Sequence, residues 1–555
     1  MTDSSNILPT GWWHERDLLV LYGEAPGVTM AARTLREKGQ QRMVCVVPET
    51  STAQPGEEEL PEGVQVVRRA NELMSFVQRM PGNPPAMIHL YVLPGTEITD
   101  TERRLIGETL AKAVKSFHIN RTTLDQFGDL WMRQTAENLG SLGAHPTVAE
   151  LRGKFGDRPV VVVSPGPSLT KNIAQLKELV GRAVIMTCPH ALAALEAEGI
   201  VPDIVVVGDA KTLAWQYGDY DFSRIPALVV MAPADPGLFE LGARNVFLYS
   251  FNPDIDGWAF DALGKKGFLA SGGSVACTEL SLAQLLGAPE IYYVGQDLAF
   301  EGGRYYASTV RDGETVARVE DGRFVLERNL PVDEHNHHQK RTWLAQAQQT
   351  FTVPGWGGGE VETSHVFTIF LDWFSVALRS QHSTSRVFNC TEGGAYIDGM
   401  VHVPLAQAVR RVRAEEADIP ALIEACAADW DSGDARGRML ETVEEYLRRV
   451  GEIGRSADRC LSLATRAANR DELLPVLEKA ERKLSQALSR VHFMALAAQA
   501  EVREAEQLGA SGASLEQNLE AAARLFRVVR KAAHELRPRL EESRQQLRSQ
   551  ATSAA

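Results

Sequence analysis

The residues best placed to do chemistry stand just after short apolar runs. Ser164-Pro165-Gly166-Pro167-Ser168-Leu169 follows the valines at 160–163 and leads toward a helical stretch that begins near Lys171. Glycine lets a ligand approach the backbone, Ser168 can cap the helix, and amides at a helix N-terminus suit a phosphate or carboxylate. The turn lacks the G-K-[ST] ending of a Walker loop and the full dinucleotide fingerprint, so it reads as an anion-facing turn or an ordinary capped loop. Two further runs end in Cys188-Pro189-His190 and Gly208-Asp209. Asp209 suits ribose hydroxyls or the capping of the next segment, and His190 alone reads equally as a structural histidine. Ser271-Gly272-Gly273-Ser274 precedes the helical stretch CTELSLAQLLG and is a second candidate anion site, while IYYVG runs into Gln296-Asp297. Two such turns and two strand-end aspartates exceed what capping requires and point to a nucleotide-type ligand.

Beyond Phe300 a polar stretch carries Tyr305-Tyr306 and the cluster His335, His337, His338. It is too long for a simple connection and reads as a lid or hairpin insertion over the site. No cysteine or carboxylate stands at zinc-motif spacing beside the histidines, so no metal site is expected, and use of one of them as a general base is the stronger functional reading. Thr363 in GGGEVETS and Glu392 in CTEGGAYIDG read as ligand contacts or as turns serving only the fold.

These loops need a scaffold that brings strand ends together. The runs at 160–164, 184–186, 204–208, 228–232, 246–249 and 291–295 are rich in Val and Ile and separated by helical stretches, which predicts a mostly parallel sheet buried on both faces. Such sheets bind ligands outside the carboxyl ends of their strands. Residues 1–145 repeat the alternation on a smaller scale, closing with helical segments at about 100–118 and 121–142, and show no catalytic constellation. After 404 only Trp430, Tyr446, Phe493 and Phe526 are aromatic, and Ala, Leu, Glu, Arg and Gln recur with helical periodicity. The expected fold is therefore α/β: an N-terminal α/β domain (1–145), a central Rossmann-like domain (146–404) and an all-α C-terminal domain (405–555).

The chain has 555 residues, with 58 Lys+Arg against 72 Asp+Glu and a net charge of -14. Residues 405–555 hold 24 of each sign, so the whole excess lies in residues 1–404. That balance argues against nucleic-acid wrapping, which needs clustered cations. The six cysteines form no C-x-x-C pair and read as buried thiols. No apolar stretch approaches the roughly 18 residues of a membrane span, and the N-terminus lacks signal-peptide character, so a cytoplasmic protein is expected.

The ordered set S-P-G-P-S-L, G-I-V-P-D-I-V-V-V-G-D, G-G-S-V-A, G-Q-D-L-A-F, G-G-G-E-V-E-T and T-E-G-G-A-Y-I-D-G, over about residues 150–400, resembles the motility accessory factor (Maf) family of flagellin glycosyltransferases. The central domain is also similar to bacterial sialyltransferases and to the archaeal 6-hydroxymethylpterin diphosphokinase. The resemblance implies transfer of a nonulosonic acid, pseudaminic or legionaminic, from a CMP-activated donor to Ser and Thr of flagellin before export, with no further cofactor. It implies Gly166, Ser168, Gly273 and Ser274 at CMP, Tyr305 and Tyr306 at its phosphate, and His335, His337 or His338 as base. Ser164, His190, Asp209, Gln296 and Glu392 are expected to line the site, Ser274 or Thr363 to hold the donor carboxylate, and Asp297 to act in catalysis. Asparagines favoured by the sialyltransferases are replaced here by His190 and Asp209. Two alternatives stand beside this reading: pyrophosphate transfer from ATP to a pterin, with Asp209 and Asp297 holding Mg²⁺, and a non-catalytic flagellin-binding module.

Overall fold

The computed structural model describes residues 17–40, 42–48, 51, 60–78, 80, 85, 87–211, 214–264, 267–311, 316–320, 323–327, 342–343, 351–380, 385–467, 469–491, 493–494, 502 and 514–553. Two compact units, Met1–Phe127 and Gly128–Ala555, divide the chain. The smaller holds β1 (Leu18–Tyr22), α1 (Ala25–Glu37), β2 (Met43–Val46), β3 (Val66–Val67), α2 (Ala70–Gln78), β4 (Ile88–Val92) and the start of α3 (Asp100–Leu142). Its strands are parallel in the order β3-β2-β1-β4. Strand alternation sends Leu18, Val20 and Tyr22 into a core with Leu73, Phe76 and Ile106, and Leu19 and Leu21 into one with Val28 and Ala32. A cavity of about 180 Å³ opens at the carboxyl ends of these strands, among Tyr22, Arg68, Arg69, Glu102 and Thr109. It belongs to a unit whose sequence shows no catalytic constellation.

The two helical segments expected before residue 145 are one helix, α3, because nothing between 118 and 121 breaks it: no glycine or proline stands there. The division between units falls inside α3, so residues 128–145 pack with the larger unit, where Ala136, Leu139 and Leu142 are buried.

The larger unit begins β5 (Val160–Val163), α4 (Leu169–Asn172), β6 (Val184–Thr187), α5 (Leu192–Ala197), β7 (Ile204–Val207), α6 (Ala214–Tyr217), β8 (Ala227–Met231), β9 (Val246–Tyr249), α7 (Pro253–Leu263), α8 (Val275–Leu285) and β10 (Glu290–Val294). A hairpin of β11 (Val316–Glu320) and β12 (Arg323–Glu327), joined by β13 (Thr342–Trp343), lies within the polar insertion. Then come β14 (Phe351–Pro354), β15 (Glu360–Thr363), α9 (His365–Ser380), β16 (Arg386–Asn389), β17 (Val401–His402) and α10 (Leu405–Arg411). Eight parallel strands form one sheet in the order β17-β16-β10-β5-β6-β7-β8-β9. All four valines of β5 are fully buried, as a strand covered on both faces requires, and each such side chain contributes roughly 1.5–3 kcal/mol.

Helices α11 (Ile419–Ala428), α12 (Ser432–Ala467), α13 (Leu474–Leu488) and α14 (Leu515–Ser553) form the expected all-α end. They do not separate from the sheet domain: Trp258 of α7 stacks on Phe493 at 4.4 Å and meets Tyr446 of α12 at 4.6 Å, and one continuous core spans both regions. Among the described residues no helix is long and apolar enough to cross a membrane.

Candidate functional site

Strand order reverses between β5 and β10: β6 to β9 step away on one side, β16 and β17 lie on the other. Loops leaving the carboxyl ends of β5 and β10 therefore diverge, the arrangement that makes a ligand crevice in open α/β sheets. Here the two loops are also tied together. Ser164 N–H donates to the Val294 carbonyl (2.8 Å) and Gly166 N–H to the Gly295 carbonyl (2.9 Å). A Cβ at Gly166 would collide with that carbonyl and with the Asp297 carboxylate, and Gly295, at φ 69°, lies as tightly against the Ser164 carbonyl. Only glycine permits this crossing.

Asp297, 2 % exposed, occupies the turn that the sequence marks as an anion site. Ser168 N–H points at both its carboxylate oxygens (3.2 Å), and the Ser168 hydroxyl lies 2.5 Å from Asp297 Oδ1 and 2.8 Å from Glu301 Oε2. Lys171 pairs with Glu301. A hydroxyl carries one proton, so it can donate to only one of two carboxyl groups; the other must donate to it. Burial pushes Asp297 up to about 7, against the lowering effect of its Ser168 hydrogen bonds, and makes it the group that keeps the proton. When Asp297 holds its proton it donates to the Ser168 hydroxyl, which in turn donates to Glu301 Oε2. The helix expected after this turn, α4, has only four residues and continues as 3₁₀ through Ile173–Leu179. Ser168, expected at CMP, and Asp297, expected in catalysis, thus hold one another in this structure.

Three further expected contacts belong to the same internal mesh. Gln296 N–H donates to Thr391 Oγ1 (3.0 Å), and the Thr363 hydroxyl, fully buried, donates to the Leu298 carbonyl (2.7 Å). Glu392 Oε1 accepts from Asn172 Nδ2 (3.2 Å) and from the Leu405 amide that begins α10 (2.9 Å). Thr363 and Glu392 thus each hold bonds within the fold.

The remaining residues line a rim beside this mesh. Ala307 N–H donates to the Pro165 carbonyl (2.8 Å), fastening the segment with Tyr305 and Tyr306 across the β5 turn. The Tyr306 ring lies 4.2 Å from that of His190 at the end of β6, and Tyr305 meets Tyr306 edge-on at 4.5 Å. His190 in turn contacts Trp215 of α6, at 5.2 Å. Asp209, after β7, is exposed and accepts from Lys211 N–H (2.9 Å), the capping role open to it from the sequence. At the N-terminus of α8, Gly273 at φ 86° faces the Phe370 ring, and Ser274, half-buried, makes no capping hydrogen bond. First-turn amides of an eleven-residue helix lack intrahelical acceptors and suit an anion. His335, His337 and His338 lie outside the described residues.

One group was not singled out by the sequence. Glu279 stands one turn into α8, 1 % exposed, and its Oε1 has no hydrogen-bond partner. Burial pushes it up to about 8, with no opposing cation. Its signal in the sequence is the one charged residue in the helical window Val275–Leu285.

Residues 133–303 match the family model described as 6-hydroxymethylpterin diphosphokinase MptE-like. No match was found among curated proteins. Among solved structures, the Maf glycosyltransferase from Magnetospirillum magneticum AMB-1 superposes with a TM-score of 0.52 at 16% identity, covering 97% of this chain and 82% of that one. Residues 133–303 are thus similar to the MptE-like family, and the chain as a whole has a fold similar to that of a Maf glycosyltransferase.

Proposed function

We propose that the protein is a glycosyltransferase that moves a nonulosonic acid from a CMP-activated donor to Ser or Thr hydroxyls of flagellin in the cytoplasm. The observation that carries this reading is the rim at the carboxyl ends of β5, β6 and β7, where His190, Tyr305 and Tyr306 gather in a fold shared with a Maf glycosyltransferase. Loss of CMP leaves an oxocarbenium-like sugar, so the protein must stabilise the departing phosphate and take a proton from the acceptor hydroxyl. Ser274, the first-turn amides of α8 and the hydroxyls of Tyr305 and Tyr306 are assigned to the phosphate. The base is assigned to the histidines at 335, 337 and 338. Asp297 and Ser168 are assigned a positioning role, since they fix the β5 turn under the tyrosines.

Intact mass of purified flagellin after incubation with the chain and CMP-activated pseudaminic or legionaminic acid tests the proposal. A gain of one nonulosonic acid residue is expected; unmodified flagellin with both donors refutes it. The family match of residues 133–303 favours a second reading, pyrophosphate transfer from ATP to a pterin. A thermal shift with CMP but not with ATP plus Mg²⁺ separates the two, because only a bound ligand stabilises the native state.

A further inference from the structure

A carboxyl group buried without a cation or a full set of hydrogen bonds costs folding energy, and proteins tolerate such groups chiefly where a ligand completes them. Glu279 is such a group. Its charge bears on Cys188 after β6, Tyr249 of β9, Tyr293 of β10 and Cys277 of its own helix, which places its carboxyl beneath the carboxyl ends of the sheet. None of these neighbours is a cation, and burial drives all four thiols and phenols far above neutrality, so none titrates near pH 8. The Tyr249 hydroxyl donates to the Val207 carbonyl (3.1 Å). A Cβ on exposed Gly208 would lie 3.2 Å from that hydroxyl and 3.4 Å from Val275 Cγ2. Gly208 thus lies against Tyr249 and Val275 at the α8 N-terminus, and Glu279 stands close enough to Tyr249 for its charge to act on the phenol.

We propose that Glu279 is a specificity-determining residue that hydrogen-bonds the nucleobase of the donor. The inference rests on the CMP reading above. A protonated carboxyl offers one donor and one acceptor side by side, and cytosine presents the complement, N3 as acceptor and the N4 amino group as donor. The same helix then supplies amides for the phosphate at its N-terminus and a base-reading group one turn further in. With Glu279 at about 8, the acid is mostly neutral at pH 7 and ionised at pH 9, where it can no longer donate to N3.

The test is CMP affinity of the full chain by calorimetric titration at pH 7 and pH 9, for the wild type, Glu279→Gln and Glu279→Leu, with a melting curve for each. Wild-type affinity should fall about tenfold between the two pH values, following the neutral fraction of the acid. Glu279→Gln keeps a donor and an acceptor, so it should bind within a few-fold of wild type and lose the pH dependence. Glu279→Leu should bind at least tenfold more weakly while melting no lower than the wild type. CMP binding that is indifferent to Glu279→Leu, or an equal pH slope in Glu279→Gln, overturns this assignment alone. Failure of the wild type to bind CMP overturns the donor reading and this assignment with it.

Discussion

Replacing Asp297 separates two consequences of its burial. One hydroxyl proton between two carboxyl groups leaves Asp297, raised by burial, as the proton-holding end of a chain through Ser168 to Glu301. Its folded-state value of about 7 stands above the ordinary 3.8, so the folded protein holds a proton that the unfolded chain releases over that range. Stability from this group is full below about pH 4 and is lost as pH rises toward 7. Three pH units at about 1.4 kcal/mol each set an upper limit near 4 kcal/mol, and relaxation around the site reduces this to roughly 1–3 kcal/mol. Asp297→Asn does not titrate: its amide donates to the Ser168 hydroxyl and its carbonyl accepts from the Ser168 amide. The variant should therefore gain stability relative to wild type as pH rises from 5 to 8. Asp297→Ala, which does not titrate either, removes the acceptor from a buried N–H and should be less stable than Asp297→Asn by about 1–3 kcal/mol at every pH. Calorimetric melting of all three proteins at pH 5, 6, 7 and 8 reads both effects. The difference between Asp297→Asn and wild type is the informative quantity, because Asp203, Asp256 and Glu279 are also raised by burial and add to the wild-type slope. Parallel curves for wild type and Asp297→Asn, or an Asp297→Ala protein as stable as Asp297→Asn, would refute the proton chain.

Other outcomes follow from the same geometry. Gly166→Ala drives a methyl into the Asp297 carboxylate and the Gly295 carbonyl, neither of which can move without opening the β5–β10 crossing, and should lower the melting point by the equivalent of about 2–4 kcal/mol. Tyr306→Phe keeps the ring against His190 and removes the hydroxyl; sugar transfer should fall about tenfold or more with the melting curve unchanged. Burial drives the thiols of Cys45 and Cys188 to about 12 and those of Cys277 and Cys390 higher still, so iodoacetamide at pH 8 should spare these four in the native chain and label them after unfolding, as peptide mass mapping would show.

The central sheet was legible because its strands are buried on both faces. A run such as Val160 to Val163 has no polar alternation to confuse with a surface strand, and all six expected runs fall on β5 to β10. Strand β16 escaped because its run, RVFN, is polar at both ends, and β17 because two residues carry no period. The separation of the helical end from the sheet was expected from composition, yet composition cannot report that Trp258 lies on Phe493, and that stacking joins the two cores. The strand-end turns were legible from glycine and position. What fills the first of them was not, since Asp297 lies 129 positions beyond Ser168 and a local capping motif is indifferent to which anion arrives.

Glu279 shows how such a residue becomes legible. In an amphipathic helix a lone glutamate falls on the wet face and needs no explanation. Helix α8 is different: Ala276, Cys277, Leu280, Leu282, Ala283 and Leu285 are all buried, so apolar residues leave no wide polar stripe, and α8 lies between the sheet and α9. In a helix that is apolar nearly all round, a carboxylate sits inside whichever way the helix turns. Its presence there is then a cost that packing does not repay, and the α8 N-terminus, at the end of the sheet where ligands bind, supplies the place where a ligand can.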